Sequence, residues 1–397
     1  MAEPVRHAPT ADVDAVITAD AHLLDADLRD LLAVSAHNVM EPLVPGFAPQ
    51  NRTLQDAIRL ALHAPHTDAF ALDHARLRST GRGGGPAPGV RPSTVYWAFR
   101  NYRGFSVEDE AGADFGTVRR IAASVRLLLK AAVIIDDIQD GSETRFGRPA
   151  LHLTHGVPLA LNTASWMITR GLRHMAVPEV VDYALGAVQN GFTGQALDLS
   201  THLTDVKRTL AAGPPADRVE FWTSVAALKT STLLQLPLNT AAFALDIPRD
   251  ERTVLDESMH LMGLGAQLLN DLLDFLPHHS AANSFTDFKG LKNRVCLELL
   301  GMSTPPSRAA DDMTPEELKS FALDHPGLPD VMLRLADDAV RFKRTAKERV
   351  FALCRSKESA AYFDAAIERV GHHIDLVAEE LHTATSLDAL LVPTAAG

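Results

Sequence analysis

The chain has 397 residues, of which 46% are hydrophobic and 22% charged, as expected of a globular protein with a large core. Its 50 acidic and 38 basic residues give a formal net charge of −12, which argues against general nucleic-acid binding. No apolar run reaches the roughly 20 residues that cross a bilayer, and the two cysteines, Cys296 and Cys354, lie far apart. We therefore expect a cytoplasmic protein without stable membrane insertion.

In chain order, residues 1–40 are rich in Ala and Asp and lack a strong core pattern, so we predict a flexible N-terminal segment that could hold one short amphipathic helix. Gly and Pro dominate RSTGRGGGPAPGVRP (78–92), which cannot continue a helix. Beyond it, apolar residues recur every three or four positions, as in DFGTVRRIAASVRLLLKAAVIIDDIQD, and strand-like alternation is nearly absent. The pattern predicts a single all-α domain over residues 41–390 and a frayed C-terminus at 391–397.

Two acidic clusters end two of the predicted helices. Each occupies positions i, i+1 and i+4: Asp136, Asp137 and Asp140 form the first triplet, and Asn270, Asp271 and Asp274 form the second. This spacing covers an arc of about 100°, so each triplet projects from one side of its helix. One such cluster is usually a solvated helix end, but carboxylates there are unfavourable without a cation. Two matching triplets favour a Mg²⁺ site that is completed by a phosphorylated substrate.

Basic residues accompany both triplets. Arg145 follows the first, Lys229 lies within the apolar segment AALKTSTLL, and Lys289, Lys292 and Arg294 follow the second. A single residue of this kind is more often a surface cation whose aliphatic part packs on the protein. An unpaired Lys among apolar neighbours is costly, however. Together these cations are suited to binding a diphosphate.

Five segments occur in the order of the motifs of trans-isoprenyl diphosphate synthases and resemble them. They are DDIQDGSETRFGRPALH, which resembles the first aspartate-rich motif, GQALDL (194–199), LKT (228–230), QLLNDLLD (267–274), which resembles the second aspartate-rich motif, and DFKGLK (287–292). DDIQD and GVPLALNTA are most similar to the geranylgeranyl diphosphate synthase branch. The resemblance covers roughly residues 88–300. It implies an all-α isoprenoid-synthase-type bundle around a deep central cavity, three Mg²⁺ ions, an allylic prenyl diphosphate substrate and a homodimer.

The resemblance also implies roles for individual residues. Both triplets would bind metal, and the first would act in catalysis with Arg145 and Lys229. The residues expected to bind the substrate diphosphate are Arg145, Lys229, Gln195, Lys292 and Arg91. Those expected to line the cavity are Ala131, Ala132, Phe146, Phe192 and Trp222, although core packing is the commoner role of such aromatics. The two alanines replace the bulky side chains that shorten the product in relatives, which implies a geranylgeranyl or longer substrate.

The chain departs from the family pattern where relatives bind isopentenyl diphosphate. That site normally takes a Lys and an Arg from a Gly-Lys-x-x-Arg motif, a His or Gln seven residues before the first Asp, and the second Arg of Arg-Arg-Gly. Here Pro88, Leu129 and Phe146 occupy three of these positions, and Arg91 keeps the fourth. Each lost charge-assisted contact costs on the order of 1.5–3 kcal/mol, so isopentenyl diphosphate should bind far more weakly.

A cation formed without an isopentenyl acceptor must be quenched in another way, and the leading interpretation is a terpene synthase that cyclises it. Three alternatives stay open. The chain could elongate prenyl diphosphates with cations from elsewhere, such as Arg82 or Arg103. It could transfer the prenyl group to a different acceptor, or it could be a regulatory subunit of another synthase. Two intact triplets argue against the last, because a scaffold does not need them.

Overall fold

The structure is a computed structural model that describes residues 12–33, 51–79, 90–145, 147–276, 288, 290–302 and 313–384, without the side chains of 72–79, 90, 91 and 370. Several predictions concern positions outside these residues: Arg82, Pro88, Phe146, Lys289 and the C-terminal residues 391–397. They stay predictions, as does the extent of the single domain.

The described chain is almost entirely α-helical, which confirms the predicted fold class. The helices up to the first triplet are α1 Val13–Leu32, α2 Arg52–Ile58, α3 Ala64–Ser79, α4 Val90–Tyr102, α5 Val107–Glu110 and α6 Ala113–Asp140. A short antiparallel hairpin, β1 Thr144–Arg145 and β2 Arg148–Pro149, follows, with Arg145 opposite Arg148. The later helices are α7 Leu151–His155, α8 Val157–Met175, α9 Pro178–Ser200, α10 Thr204–Ala212, α11 Pro215–Ala226, α12 Thr232–Ala244, α13 Arg249–Leu273, α14 Arg294–Met302, α15 Pro315–Leu323, α16 Leu328–Phe351 and α17 Lys357–Thr383.

Two π-helical turns each join two α-helices into one longer, continuous helical segment. Arg59–His63 connects α2 to α3, and Ala227–Ser231 connects α11 to α12. A π-turn adds a residue to the helical repeat and so changes the direction of the side chains that follow. The second turn carries Lys229, which places this irregularity at a predicted functional residue.

Helix α6 lies in the core and packs on α8, α4, α12 and α1. Its apolar positions Val118, Ile121 and Val125 are fully buried, as the spacing of three and four predicts. The helix ends immediately after Asp140, because Gly141 adopts a left-handed conformation (φ 67°) that other residues rarely take. The second triplet ends α13, which packs on α16 and α12. Among the described helices, none is long and apolar enough to span a membrane.

The segment predicted to be flexible over residues 1–40 contains α1, a 20-residue helix with Ile17, Leu24 and Leu28 buried in the core. The core pattern of this segment is weak in the sequence because the buried face also carries Asp20, which interrupts the apolar residues. Asp20 is fully buried, and its carboxylate accepts hydrogen bonds from Arg100 Nη2 at 2.6 Å and from the hydroxyl of Tyr362 at 2.9 Å. Partners from distant helices therefore make this polar residue compatible with the core.

Candidate active site

The three aspartates of the first triplet have two kinds of partner, an arginine and two lysines. Asp137 is buried, and its Oδ1 and Oδ2 accept hydrogen bonds from Arg145 Nε at 3.0 and 3.3 Å. Burial raises the pKa of Asp137, and Arg145 counteracts that rise. Asp136 and Asp140, one helical turn apart, face two lysines instead. Asp137 therefore holds Arg145 and its hairpin against α6, while Asp136 and Asp140 form the part of the triplet best placed for a ligand.

Asp198 connects the two lysines that face the first triplet. Its Oδ2 lies 3.0 Å from Lys229 Nζ and 3.5 Å from Lys292 Nζ. Lys229 Nζ also lies 2.9 Å from Asp136 Oδ1, and Lys292 Nζ lies 3.7 Å from Asp140 Oδ1. We call these five side chains the acid–lysine cluster. Two helices, α6 and α9, the second π-turn and the short segment directly before α14 bring it together.

The charges of this cluster shift the pKa values of its members. Burial opposes ionisation of Asp198, but Lys292 and Lys229 outweigh it and lower the pKa of that carboxyl. Burial likewise opposes the charged form of Lys229, but Asp136 and Asp198 outweigh it and raise its pKa. Burial, followed by the negative charge of Asp136, raises the pKa of Asp140 to about 6. The charged forms of Asp198 and Lys229 are therefore stabilised, whereas burial and the charge of Asp136 disfavour ionisation of Asp140.

This donor set fits a divalent cation shared with a diphosphate. Carboxylate oxygens from Asp136 and Asp140 are ligands that Mg²⁺ prefers, and Mg²⁺ usually takes further oxygens from water and phosphate. A cation there would relieve the repulsion that raises the pKa of Asp140. The ammonium groups of Lys229 and Lys292 are suited to phosphate oxygens. Asp136 and Asp140 are thus the residues most suited to holding the metal.

The second triplet is linked to this cluster by residues 292–294. Asn293 Nδ2 donates to Asp274 Oδ2 at 2.8 Å and to the carbonyl oxygen of Asp271 at 2.9 Å. The backbone N–H of Arg294 donates to Asp271 Oδ2 at 2.7 Å. Because the neighbouring Lys292 reaches the first triplet, one short segment contacts both triplets.

Asp271 is held by further donors. Its Oδ2 accepts from Trp222 Nε1 at 2.7 Å, and its Oδ1 accepts from Gln267 Nε2 at 2.9 Å. Gln267 Oε1 in turn accepts from the hydroxyl of Thr230 at 2.6 Å. Trp222, predicted to line the cavity, thus supports this carboxylate with its indole N–H, and Asn270 is exposed at the end of α13. Metal binding by the second triplet stays a prediction, while the observed role of Asp271 is to join three helices.

Two glycines let neighbouring helices approach the second π-turn closely. A Cβ at Gly194 of α9 would lie 2.7 Å from the backbone nitrogen of Lys229, and one at Gly263 of α13 would lie 2.4 Å from Ser231. The turn is therefore clamped between α9 and α13, which directs Lys229 toward the first triplet and Thr230 toward the second.

We expect Gly194→Ala to lower the free energy of unfolding by about 1–3 kcal/mol, because the methyl group would push the π-turn away from α9. Urea unfolding followed by circular dichroism measures this. Gly186→Ala on the same helix is the matched control, since no atom lies within 4 Å of its Cβ, and it should be neutral or stabilising. Equal losses in the two variants would contradict the clamp.

Gln195 and Asp198 lie one turn apart on α9, both buried. Within the described part of the chain, Gln195 Nε2 has no hydrogen-bond partner, so it is a donor available to a ligand oxygen. Gln195 was predicted from its motif, whereas Asp198, in the same GQALDL segment, was not assigned to the site. Its position three residues after Gln195 was the signal that could have identified it.

The remaining predicted residues are placed as follows. Ala131 is fully buried in α6 and Ala132 is partly buried, so both are compatible with an internal wall. Arg91 lies in the first turn of α4, but its side chain is outside the described part. Phe192 does not match its predicted place in an enclosed cavity, because it is 47% exposed on α9. It lines an open surface groove with Leu185, and both belong to the outward stripe of that helix.

Comparison with known proteins identifies the family. Residues 88–296 match the polyprenyl synthetase model, and the chain belongs to this family. It is 37% identical over 89 residues to sesterfisherol synthase of Neosartorya fischeri, a match covering 22% of this chain and 12% of that protein. It is 38% identical over 78 residues to geranylgeranyl pyrophosphate synthase 2 of Zymoseptoria tritici, covering 19% and 24%. These relatives are enzymes. The matched regions cover 12% of the length of the first relative and 24% of the length of the second, so the chain spans only part of each.

Solved structures match over nearly the whole fold. A decaprenyl diphosphate synthase from Rhodobacter capsulatus has a TM-score of 0.67 at 16% identity, covering 91% of this chain and 98% of that one. A polyprenyl synthase from Caulobacter crescentus CB15, complexed with calcium and isoprenyl diphosphate, has a TM-score of 0.64 at 17% identity, covering 94% and 99%. At such identities the likeness establishes the fold, and it confirms the predicted helical bundle. The deep central cavity stays a prediction.

Proposed function

We propose that this chain ionises an allylic polyprenyl diphosphate, geranylgeranyl or longer, in the presence of Mg²⁺ and cyclises the cation as a terpene synthase. The observation that carries the proposal is the acid–lysine cluster, in which carboxylate oxygens alternate with ammonium groups at 2.9 to 3.7 Å. Preorganised ammonium groups stabilise negative charge that develops on a leaving group. Bound Mg²⁺, three ions by the family pattern, would supply Lewis-acid stabilisation of the diphosphate.

The residues of the site would have the following roles. Asp136 and Asp140 would hold metal, and Lys229 and Lys292 would donate hydrogen bonds to the phosphate oxygens. Arg145, fixed by Asp137, has its Nη2 only 3.8 Å from Asp136 Oδ2, which supports a direct role at the diphosphate. The free amide donor of Gln195 and the second triplet would complete the site.

The positions where relatives hold isopentenyl diphosphate support cyclisation over elongation. Leu129, which stands where relatives have a His or Gln, is buried and apolar. Arg103, one substitute cation considered above, is bound to Asp114 Oδ2 at 2.6 Å and to the Leu245 carbonyl at 2.8 Å. Asp114 lies in the first turn of α6, 26 residues from Asp140, or about 39 Å along the helix. Arg103 is therefore too distant to replace the missing cations.

The test is to incubate the purified chain and Mg²⁺ with geranyl, farnesyl, geranylgeranyl and geranylfarnesyl diphosphate, each with and without isopentenyl diphosphate. Mass spectrometry of the extracts identifies the products. We expect a hydrocarbon or terpene alcohol without isopentenyl diphosphate from one of the two longer substrates. Longer diphosphates that form only with isopentenyl diphosphate would instead establish the chain-elongating alternative.

We further propose a homodimer formed through the outer face of α9. Leu185 and Phe192 are 50% and 47% exposed there and line one open groove, and contiguous apolar surface of this kind often marks an interface. Light scattering should give twice the chain mass of 42.9 kDa. Phe192→Glu should shift the protein toward monomer, whereas Leu323→Glu, at an exposed apolar residue of α15, should not. A wild-type monomer would contradict this assembly.

A further inference from the structure

A second polar pocket, of about 340 Å³, lies between α1, α6 and α8. Its polar lining comprises Asp27 and Asp30 of α1, Arg119 and Arg120 of α6, and Arg170 and His174 of α8. Arg120 and Asp140 are 20 residues apart on α6, which separates the pocket from the acid–lysine cluster by about 30 Å. The pocket is thus a different place from the proposed active site.

The pocket has an excess of positive charge. Arg119 is paired with Asp27 through two hydrogen bonds, of 2.9 and 2.6 Å. Arg120 donates to the neutral hydroxyl of Thr117 at 3.0 Å. Within the described residues, no carboxylate lies within salt-bridge distance of Arg120 or Arg170. Three guanidinium groups therefore face two carboxylates, and two of the three are available to an anion.

The charges of the pocket also shift the pKa of His174. Burial lowers its pKa, and the positive charges of Arg170 and Arg120 lower it further, while Asp27 acts in the opposite direction. The imidazole and the two arginines line the same pocket, from two different helices.

Gly116, in the first turn of α6, lines the pocket and is exposed. No atom lies within 4 Å of the position that a Cβ would take there, so a larger side chain can be placed at this position without a clash. The N-terminal end of this 28-residue helix adds partial positive charge. A volume of about 340 Å³ is at the lower end for small-ligand sites, which suits a compact anion and not a prenyl chain.

We propose that this pocket binds a small multivalent phosphate-type anion such as inorganic diphosphate, through Arg120, Arg170 and His174. Arginine is the side chain best suited to this ligand, because its planar fork of donors matches phosphate oxygens. The proposal is independent of the proposed function, since it uses none of the residues of the acid–lysine cluster.

Calorimetric titration of the full chain with inorganic diphosphate, in EDTA and without Mg²⁺, tests it. We expect one saturable site that binds diphosphate more tightly than inorganic phosphate. Arg170→Gln and Arg120→Gln should each weaken binding by about tenfold or more. Gly116→Leu should abolish binding by filling the pocket, with an unchanged or raised unfolding midpoint, because leucine is a better helix former than glycine.

A matched control separates this pocket from other cationic surfaces. Arg208→Gln, at an exposed arginine of α10, should leave diphosphate binding in EDTA unchanged. An NMR titration of the histidine signals should show a raised His174 pKa when diphosphate is present. The proposal is overturned if no saturable binding occurs. It is also overturned if binding depends on Lys229 and not on Arg170 and Gly116.

Discussion

Replacing Asp136 with Asn should reduce the release of diphosphate from an allylic diphosphate by at least ~10³-fold. Asp136 and Asp140 are the two carboxylates of the first triplet that face the lysines, and Asp136 Oδ1 lies 2.9 Å from Lys229 Nζ. The amide keeps the size of the side chain but removes the negative charge that would hold a metal ion. It also leaves Lys229 with Asp198 as its remaining carboxylate at hydrogen-bond distance.

A coupled diphosphate-release assay with geranylgeranyl diphosphate measures this loss. Gln139→Ala is the matched control, since it changes an exposed residue of the same helical turn and should retain the wild-type rate. Circular dichroism should show both variants folded. If Asp136→Asn kept a rate within tenfold of wild type, the assignment of Asp136 as a metal ligand would be wrong.

Lys229→Met should lower diphosphate release by about 10²–10³-fold, the usual effect of removing one preorganised donor to developing negative charge. The ammonium group lies 2.9 Å from Asp136 and 3.0 Å from Asp198, so it is fixed before any substrate arrives. Methionine fills a similar volume without the charge. The same assay, repeated over a range of substrate concentrations, separates the effect on turnover from the effect on binding.

Lys357→Met, at an exposed lysine of α17, serves as the control and should have the wild-type rate. Lys229→Arg restores a cation at the same position and should recover part of the activity. Wild-type turnover in Lys229→Met would show that the acid–lysine cluster is structural and does not act on the leaving group.

The sequence allowed the fold class, both triplets and the lysines to be predicted, because helical periodicity and motif spacing are local properties. It did not distinguish Asp137 from Asp136 and Asp140, since the partner of Asp137 is Arg145, which returns through the hairpin after Gly141. The pairing depends on how that turn folds. The burial of α1 in the core was not predicted for a related reason, because the partner of Asp20 is Arg100, 80 residues away.

Other differences arise because a helix with two apolar faces does not reveal which of them points inward. Phe192 lies on such a helix and is on the outside. Trp222 is buried, but its role is set by Asp271, 49 residues later. The π-turn that directs Lys229 leaves no periodic signal, although Gly194 and Gly263, which make room for it, are visible in the sequence.

The most direct test of the proposed function is the rate of diphosphate release from geranylgeranyl diphosphate with Mg²⁺, measured as isopentenyl diphosphate is varied from zero. If Leu129 marks a lost acceptor site, release proceeds without isopentenyl diphosphate and its rate does not change as that compound is added. A rate that is negligible at zero and rises with isopentenyl diphosphate, with a longer prenyl diphosphate as product, would contradict the account and identify an elongating synthase.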